Sequence, residues 1–427
     1  MKKIYNPKRS DWKQLLVRPT QSVEEIEGTV ENVFIDVRNY GDTAIKKYTT
    51  QFDAVEMTVM TVEEQEFITA EENLSNALKV AIKTAYDNIK RFHEAQRTPV
   101  VSLETLPGVQ CWQEKRPIQK VGLYIPGGTA PLFSTILMLA IPAQIAGCKE
   151  IILCSPPNKE GNLPDAVLYT AKLCGVTKVF KVGGIQAIAG MTFGTETIPQ
   201  VYKIFGPGNQ YVTVAKQLAT KYGVAIDMPA GPSELLVMAD DSANPAFVAS
   251  DLLSQAEHGA DSQVLLVSTS QELINEVEVE VEKQLQVLPR VAIAEQAIAN
   301  SKLIYVEKDQ DAIDLINEYG PEHYIVCVKN ETFYLDHIIN AGSVFIGNYT
   351  PESAGDYASG TNHTLPTNGY AKQFSGVNLD SFMKSITFQK ISDKGMLSLG
   401  ETIEIMAEAE GLQAHKNAVT LRLKSLR

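Results

Sequence analysis

A chain of 427 residues is too long for one compact core, so two main domains are expected, and its 44% hydrophobic and 21% charged residues exclude disordered, fibrous and membrane classes. The net charge of −13, with lysines and arginines scattered, leaves no basic face for a phosphate backbone, so nucleic acid is not an expected partner. Five widely spaced cysteines without a CxxC motif fit reduced thiols in a cytoplasm.

The opening MKKIYNPKRSDW has lysines but no apolar stretch behind them, unlike a signal peptide, so a cytoplasmic location is expected. From Ser22 to about Gln96 the pattern is helical, with Ile26, Val30, Val33, Phe34 and Val37 on one face and Leu78, Ala81, Ile82, Tyr86 and Ile89 on another. Strand and helix signals alternate from Lys120 to Asp227. Strands are expected at 121–125, 151–154, 178–182, 201–205 and 224–226, with helices between them. The apolar run Pro131 to Gly147 is too short for a bilayer and carries Pro142, so it reads as a buried helix and no membrane partner is expected. A second set of strands is expected at 235–238, 264–267, 324–327 and 344–346. After Phe374 the chain loses strand character and reads as a helical tail broken by Gly395, Gly400 and Gly411. The fold class is therefore α/β: two doubly wound, incomplete Rossmann-like parallel-sheet domains with small helical N- and C-terminal appendages.

Three glycine turns, Ile125-Pro126-Gly127-Gly128, Val182-Gly183-Gly184 and Phe205-Gly206-Pro207-Gly208-Asn209, each end a strand and open a helix, where backbone N–H groups can face an anion. None is a GxGxxG fingerprint, and each alone reads equally well as a tight turn. Asn244-Pro245 starts a capped helix whose last turn carries Gln255 and His258, three apart on one face and able to meet one small object. Glu322-His323 stands on a turn before a strand, a carboxylate and an imidazole suited to two proton-transfer steps, or simply a polar turn. Pro351 to Thr367 reads as a long loop bearing Asp356 and His363. His415 alone reads as a surface histidine, and His93 and His337 as ordinary ones.

Together, GLYIPGGTAPL, IFGPGN, DMPAGPSE, SDLLSQAEHGADSQ, GPEH, AGSVFIGNYTPESAGDYASGTNH and EAEGLQAH, in this order, resemble the L-histidinol dehydrogenase family from about residue 20 to His415. The resemblance implies a zinc- and NAD-dependent four-electron oxidation of L-histidinol through L-histidinal to L-histidine. It implies Gln255, His258 and Asp356 as zinc ligands, with His415 reaching in from the partner subunit of a homodimer that shares its active site. It further implies Glu322 and His323 as the acid/base pair, with a neutral His323 imidazole as base for hydride transfer and Glu322 activating water. Tyr124, Gln186 and Asn209 become cofactor contacts. Ser233, Glu410, Gln255, His258, His323, Asp356 and His415 become substrate contacts, with Ser134 and His363 beside them. The domains then read as 1–20, an N-terminal appendage; 21–123 with 233–376, the substrate and zinc domain; 124–232, the NAD-binding domain; and 377–427, a tail on the partner subunit. The chemistry alone leaves three rivals: a zinc dehydrogenase of another amino alcohol or polyol, a zinc hydrolase using Glu322, and an inactive binding protein.

Overall fold

The computed structural model describes residues 1–19, 23–127 and 132–426. Gly128 and Pro131 of the first glycine turn and its helix start, and Ser22 with the expected boundary between 20 and 21, lie outside them. Two parallel sheets organise the chain. The first has the order Lys178–Phe180, Glu150–Cys154, Lys120–Tyr124, Lys203–Phe205, Ala225–Ile226. The second has the order Lys2–Tyr5, Lys302–Tyr305, Gln263–Ser268, Glu234–Ala239, His323–Cys327, Ser343–Ile346. Leaving out the edge strand Lys2–Tyr5, both follow the same winding: the first strand of each set is central, the next two run outward on one side, and the last two on the other. That is the doubly wound arrangement, whose order reverses beside the first strand.

Strands such as Glu234–Ala239 and Gln263–Ser268 are buried along their whole length. This follows from helices covering both faces, and it is why these strands read as continuous apolar runs rather than as alternation. The helix Phe133–Ala146 is buried nearly all round despite Pro142, as its composition demands. Local chemistry sets several helix starts: Ser75 accepts from Leu78 N, Asn244 from Ala246 N with Pro245 at the first helical position, and Ser270 from Leu273 N. Among the described residues no helix is long and apolar enough to cross a membrane.

Four expectations are corrected. Residues 1–20 are more than an appendage, because Lys2–Tyr5 pairs in register with Lys302–Tyr305 as an edge strand. The helices of 23–95 share the core of the first sheet: Ile26, Val30, Phe34, Ile82 and Ile89 pack with Val121, Ile152, Leu153 and Phe180 rather than with the 233–376 sheet. The tail is not free of strands. Met383–Ile391 pairs antiparallel with Val109–Pro117, which pairs with Val101–Leu106. Val101–Leu106 and Met383–Ile391 are largely exposed and Val109–Pro117 is mostly half-buried, so no buried apolar run announces them. The long loop after Pro351 also holds a helix, Glu352–Tyr357, buried at Glu352 and Gly355.

Candidate active site

The order reversal of the first sheet lies between Lys120–Tyr124 and Lys203–Phe205, and their C-terminal ends open on a cavity of about 890 Å³. Its wall includes Tyr124, Gly127, Gly184, Gly208 and Asn209, so all three glycine turns converge on it. Close approach requires glycine at Gly206, where φ is +129° and a Cβ would stand 2.0 Å from the Tyr124 carbonyl oxygen. The turn is pinned from below: Lys216 donates to the Gly206 carbonyl at 2.8 Å and ion-pairs with Asp227, whose other oxygen accepts from Gly206 N at 2.8 Å. Tyr124 is buried, and its hydroxyl accepts from Gly184 N at 3.2 Å. Asn209 caps its helix through Val212 N. Gln186 differs from expectation: it is fully buried, does not line the cavity, and donates through Nε2 to Asp53, which does.

The opposite wall carries Ser233, Glu257, His258 and Tyr357. His258 stands just past the end of the helix Pro245–Ala256, exposed to the cavity, in a turn closed by His258 N on the Gln255 carbonyl at 3.2 Å. Gln255 is wholly buried, and neither atom of its amide has a hydrogen-bond partner. Such a buried, unpartnered amide calls for a ligand.

Behind this wall a cluster forms at the N-terminal ends of the second sheet's central strands, the edge opposite to the one used by the first sheet. His323 opens the strand His323–Cys327 and is almost fully buried. Its Nδ1 lies 3.3 Å from the Glu234 carbonyl, 3.4 Å from Glu352 Oε1 and 3.6 Å from Glu322 Oε2, and its Nε2 lies 3.5 Å from Asp356 Oδ1. Glu322 is fixed by Glu234 N, which donates to its Oε2 at 2.9 Å. Glu352 and Asp356, four apart on one short helix, face the ring together, and Ser254 donates to Glu352 at 3.2 Å. His363 joins through Nδ1, 2.8 Å from the Asp356 carbonyl, and Nε2, 3.1 Å from Thr135 Oγ1. Ser134 is buried beside Thr135 in the first turn of Phe133–Ala146.

Burial opposes charge on the His323 ring, but the Glu352 and Glu322 carboxylates and Asp356 outweigh it and hold its pKa well above the usual value. Burial pushes the Glu352 carboxyl up, and the attraction of His323 does not cancel it. Burial would also raise Asp356, but His323, with His363 and His258, holds it below the ordinary carboxylate range. Burial lowers His363.

Glu352 escaped the sequence reading. Its signal was its position four residues before Asp356 on what read as a loop. Glu352, His323 and Asp356 bring ligand atoms within 4.8 Å of one another, a set that overlaps the expected zinc ligands only at Asp356. Both amide atoms of Gln255, His323 Nε2 and Glu352 Oε1 are buried without a hydrogen-bond partner, so unsatisfied polar atoms stand in both sets. His415 and Glu410 are exposed on the tail, and among the described residues no hydrogen bond or ion pair joins either to this cluster. His93 is a structural histidine, buried between the Ile89 carbonyl and Asn362.

A family model described as histidinol dehydrogenase matches residues 16–423. The chain belongs to the histidinol dehydrogenase family. It is 58% identical over 427 residues to a histidinol dehydrogenase of Bacteroides fragilis, covering all of both chains. It is 52% identical over 418 residues to that of Escherichia coli strain K12, covering 97% of this chain and 95% of that one. The crystal structure of histidinol dehydrogenase from Elizabethkingia anophelis superposes with a TM-score of 0.97 at 55% identity, covering 100% of this chain and 98% of that one. The α/β architecture is thus that of the histidinol dehydrogenase family, and the protein is an enzyme, an oxidoreductase.

Proposed function

We infer that the enzyme oxidises L-histidinol through L-histidinal to L-histidine, the last steps of histidine biosynthesis, using zinc and two successive NAD molecules. The observation that carries this reading is the buried group Glu322, His323, Glu352 and Asp356, set behind a cavity whose other wall is built from three glycine turns. When bound, NAD would supply the hydride acceptor for each oxidation and zinc would supply an anchor for the substrate. Gln255, His258 and Asp356 would hold the zinc together with His415 of the partner subunit, an assignment supported by the orphaned Gln255 amide and by the mixed nitrogen and oxygen donor set. Tyr124 and Asn209 face the cofactor. Ser233, Ser134, His363 and Glu410 face the substrate.

In the first oxidation His323 takes the hydroxyl proton. A neutral ring that donates Nδ1–H to the Glu234 carbonyl presents Nε2, which has no hydrogen-bond partner, as the free lone pair. Asp356, which would be one of the zinc ligands, stands 3.5 Å from that nitrogen. The aldehyde then adds water. Glu322, aimed by Glu234 N, takes the proton of that water before the second hydride leaves. Burial of these groups keeps the reactive aldehyde from bulk solvent.

The tail supports the homodimer. Its helices Asp393–Ala409 and Gln413–Ser425 pack mainly on each other and leave Leu397, Ile405, Met406 and Leu421 exposed, a face that a second copy would cover. All five cysteines are unpaired, which supports a reducing compartment such as the cytoplasm.

The test is stoichiometry: NADH formed per histidinol consumed is expected to be two, lost on chelation and restored by zinc. A ratio of one would overturn the four-electron reading.

A further inference from the structure

Asp53 is the last residue of the helix Val23–Asp53 and lines the cavity beside Phe52, Tyr124 and Gly184. Its setting is costly in three respects. A carboxylate at a helix C-terminus opposes the helix dipole. Asp53 has no ion-pair partner among the described residues, and burial raises its pKa, with only the Gln186 hydrogen bond working the other way. The next residue, Ala54, holds a φ of +56°, a left-handed conformation that a residue with a Cβ adopts only under constraint. Gln186 fixes the carboxylate from behind at 3.2 Å. No other hydrogen bond from the described residues reaches it.

A carboxylate has two acceptor oxygens, and a vicinal diol has two donors; this match is how acidic residues hold the ribose of dinucleotides. Asp53 is tied through Gln186 to the helix Gly184–Phe193 of the first sheet, whereas the proposed acid–base groups belong to the second sheet and do not line the cavity, so Asp53 stands on the side where the part of the dinucleotide farthest from the reaction belongs. We propose that Asp53 binds the adenosine ribose diol of the cofactor and, by its charge, excludes a dinucleotide carrying a 2′-phosphate. Gln186 is then a positioning residue that acts through Asp53. This rests on the reading of the cavity as the NAD site.

The experiment is steady-state kinetics of the full-length enzyme with NAD and with NADP, comparing the unaltered chain with Asp53→Ala, Asp53→Asn and Gln186→Leu. Loss of a hydrogen bond to a charged group weakens binding by about ten- to a hundredfold, so KM for NAD is expected to rise by that factor in both Asp53 variants, with kcat within about twofold. The preference for NAD over NADP is expected to shrink, and Gln186→Leu to shift both in the same direction by less. The isosteric Asp53→Asn separates this effect from misfolding, because it keeps shape while losing charge. If the unaltered enzyme uses NAD but the Asp53 variants keep its KM and its discrimination against NADP, the proposal falls and the NAD reading stands. If the unaltered enzyme reduces no NAD, the reading beneath the proposal falls with it.

Discussion

Replacing Arg18 by Met tests the support beneath Glu322 and His323, the proposed acid–base pair. Arg18 Nε donates to Glu234 Oε2 at 2.7 Å, its second nitrogen donates to the Tyr319 carbonyl at 2.8 Å, and its guanidinium lies 3.9 Å over the Tyr319 ring. The side chains of Arg18 and Glu234 are only 14% and 2% exposed. Glu234 also accepts from Asn368 N, and its own backbone N and O hold Glu322 and His323. Removing one partner of a buried pair leaves the other charge uncompensated and costs about 3–5 kcal/mol. Burial pushes the Glu234 carboxyl up and Arg18 pulls it down; without Arg18 it rises further, and the folded variant takes up a proton. A carboxyl whose folded pKa is raised loses stability as pH climbs from its unfolded pKa to its folded one. The cost of Arg18→Met should therefore be largest near pH 8 and shrink toward pH 5. Urea unfolding across that range measures it, and kcat should fall in parallel as Glu322 and His323 lose their alignment. The double variant Arg18→Met with Glu234→Gln should recover most of the loss, since no charge is left unpaired. A cost below about 1 kcal/mol at pH 8, or a double variant no better than the single one, would refute the reasoning.

Two further outcomes follow from single residues. Asp251, on the helix Pro245–Ala256, has its carboxyl pushed up by burial to about 7, so its ionisation destabilises the fold as pH rises from about 4 to 7. Asp251→Asn should add up to about 4 kcal/mol at pH 8 and nothing at pH 4, and an equal gain at both pH values in denaturant titrations would contradict this. Ala54→Gly removes the left-handed strain at φ +56° and should stabilise the enzyme by about 1 kcal/mol in thermal or urea unfolding. A loss there would mean that the backbone is not strained.

Much of the architecture could be read from local pattern. Apolar runs such as Val264–Val267 are buried on both faces only in a parallel sheet covered by helices, and Asn244-Pro245 and Ser75 mark helix starts through the donors they satisfy. The long motif blocks marked the family, whose model matches residues 16–423. What the sequence left open depends on partners far along the chain. Val101–Leu106 and Val109–Pro117 form a local antiparallel hairpin, but Met383–Ile391 becomes a strand only against Val109–Pro117, far earlier in the chain, and its largely exposed side chains carry little apolar signal. Lys2–Tyr5 becomes a strand only against Lys302–Tyr305.

The site divides in the same way. Glu322, His323 and Asp356 stand out as residue types able to move protons or bind metal. Only the tertiary structure decides that Glu352 joins them, that Gln186 faces Asp53 rather than the cavity, and that the His323 ring meets Glu322, Glu352 and Asp356. Sequence determines which groups are present and which backbone each segment prefers. Burial, and the set of charges each group meets there, comes from packing between distant segments, and it is burial that sets a group's protonation and whether its polar atoms require a ligand.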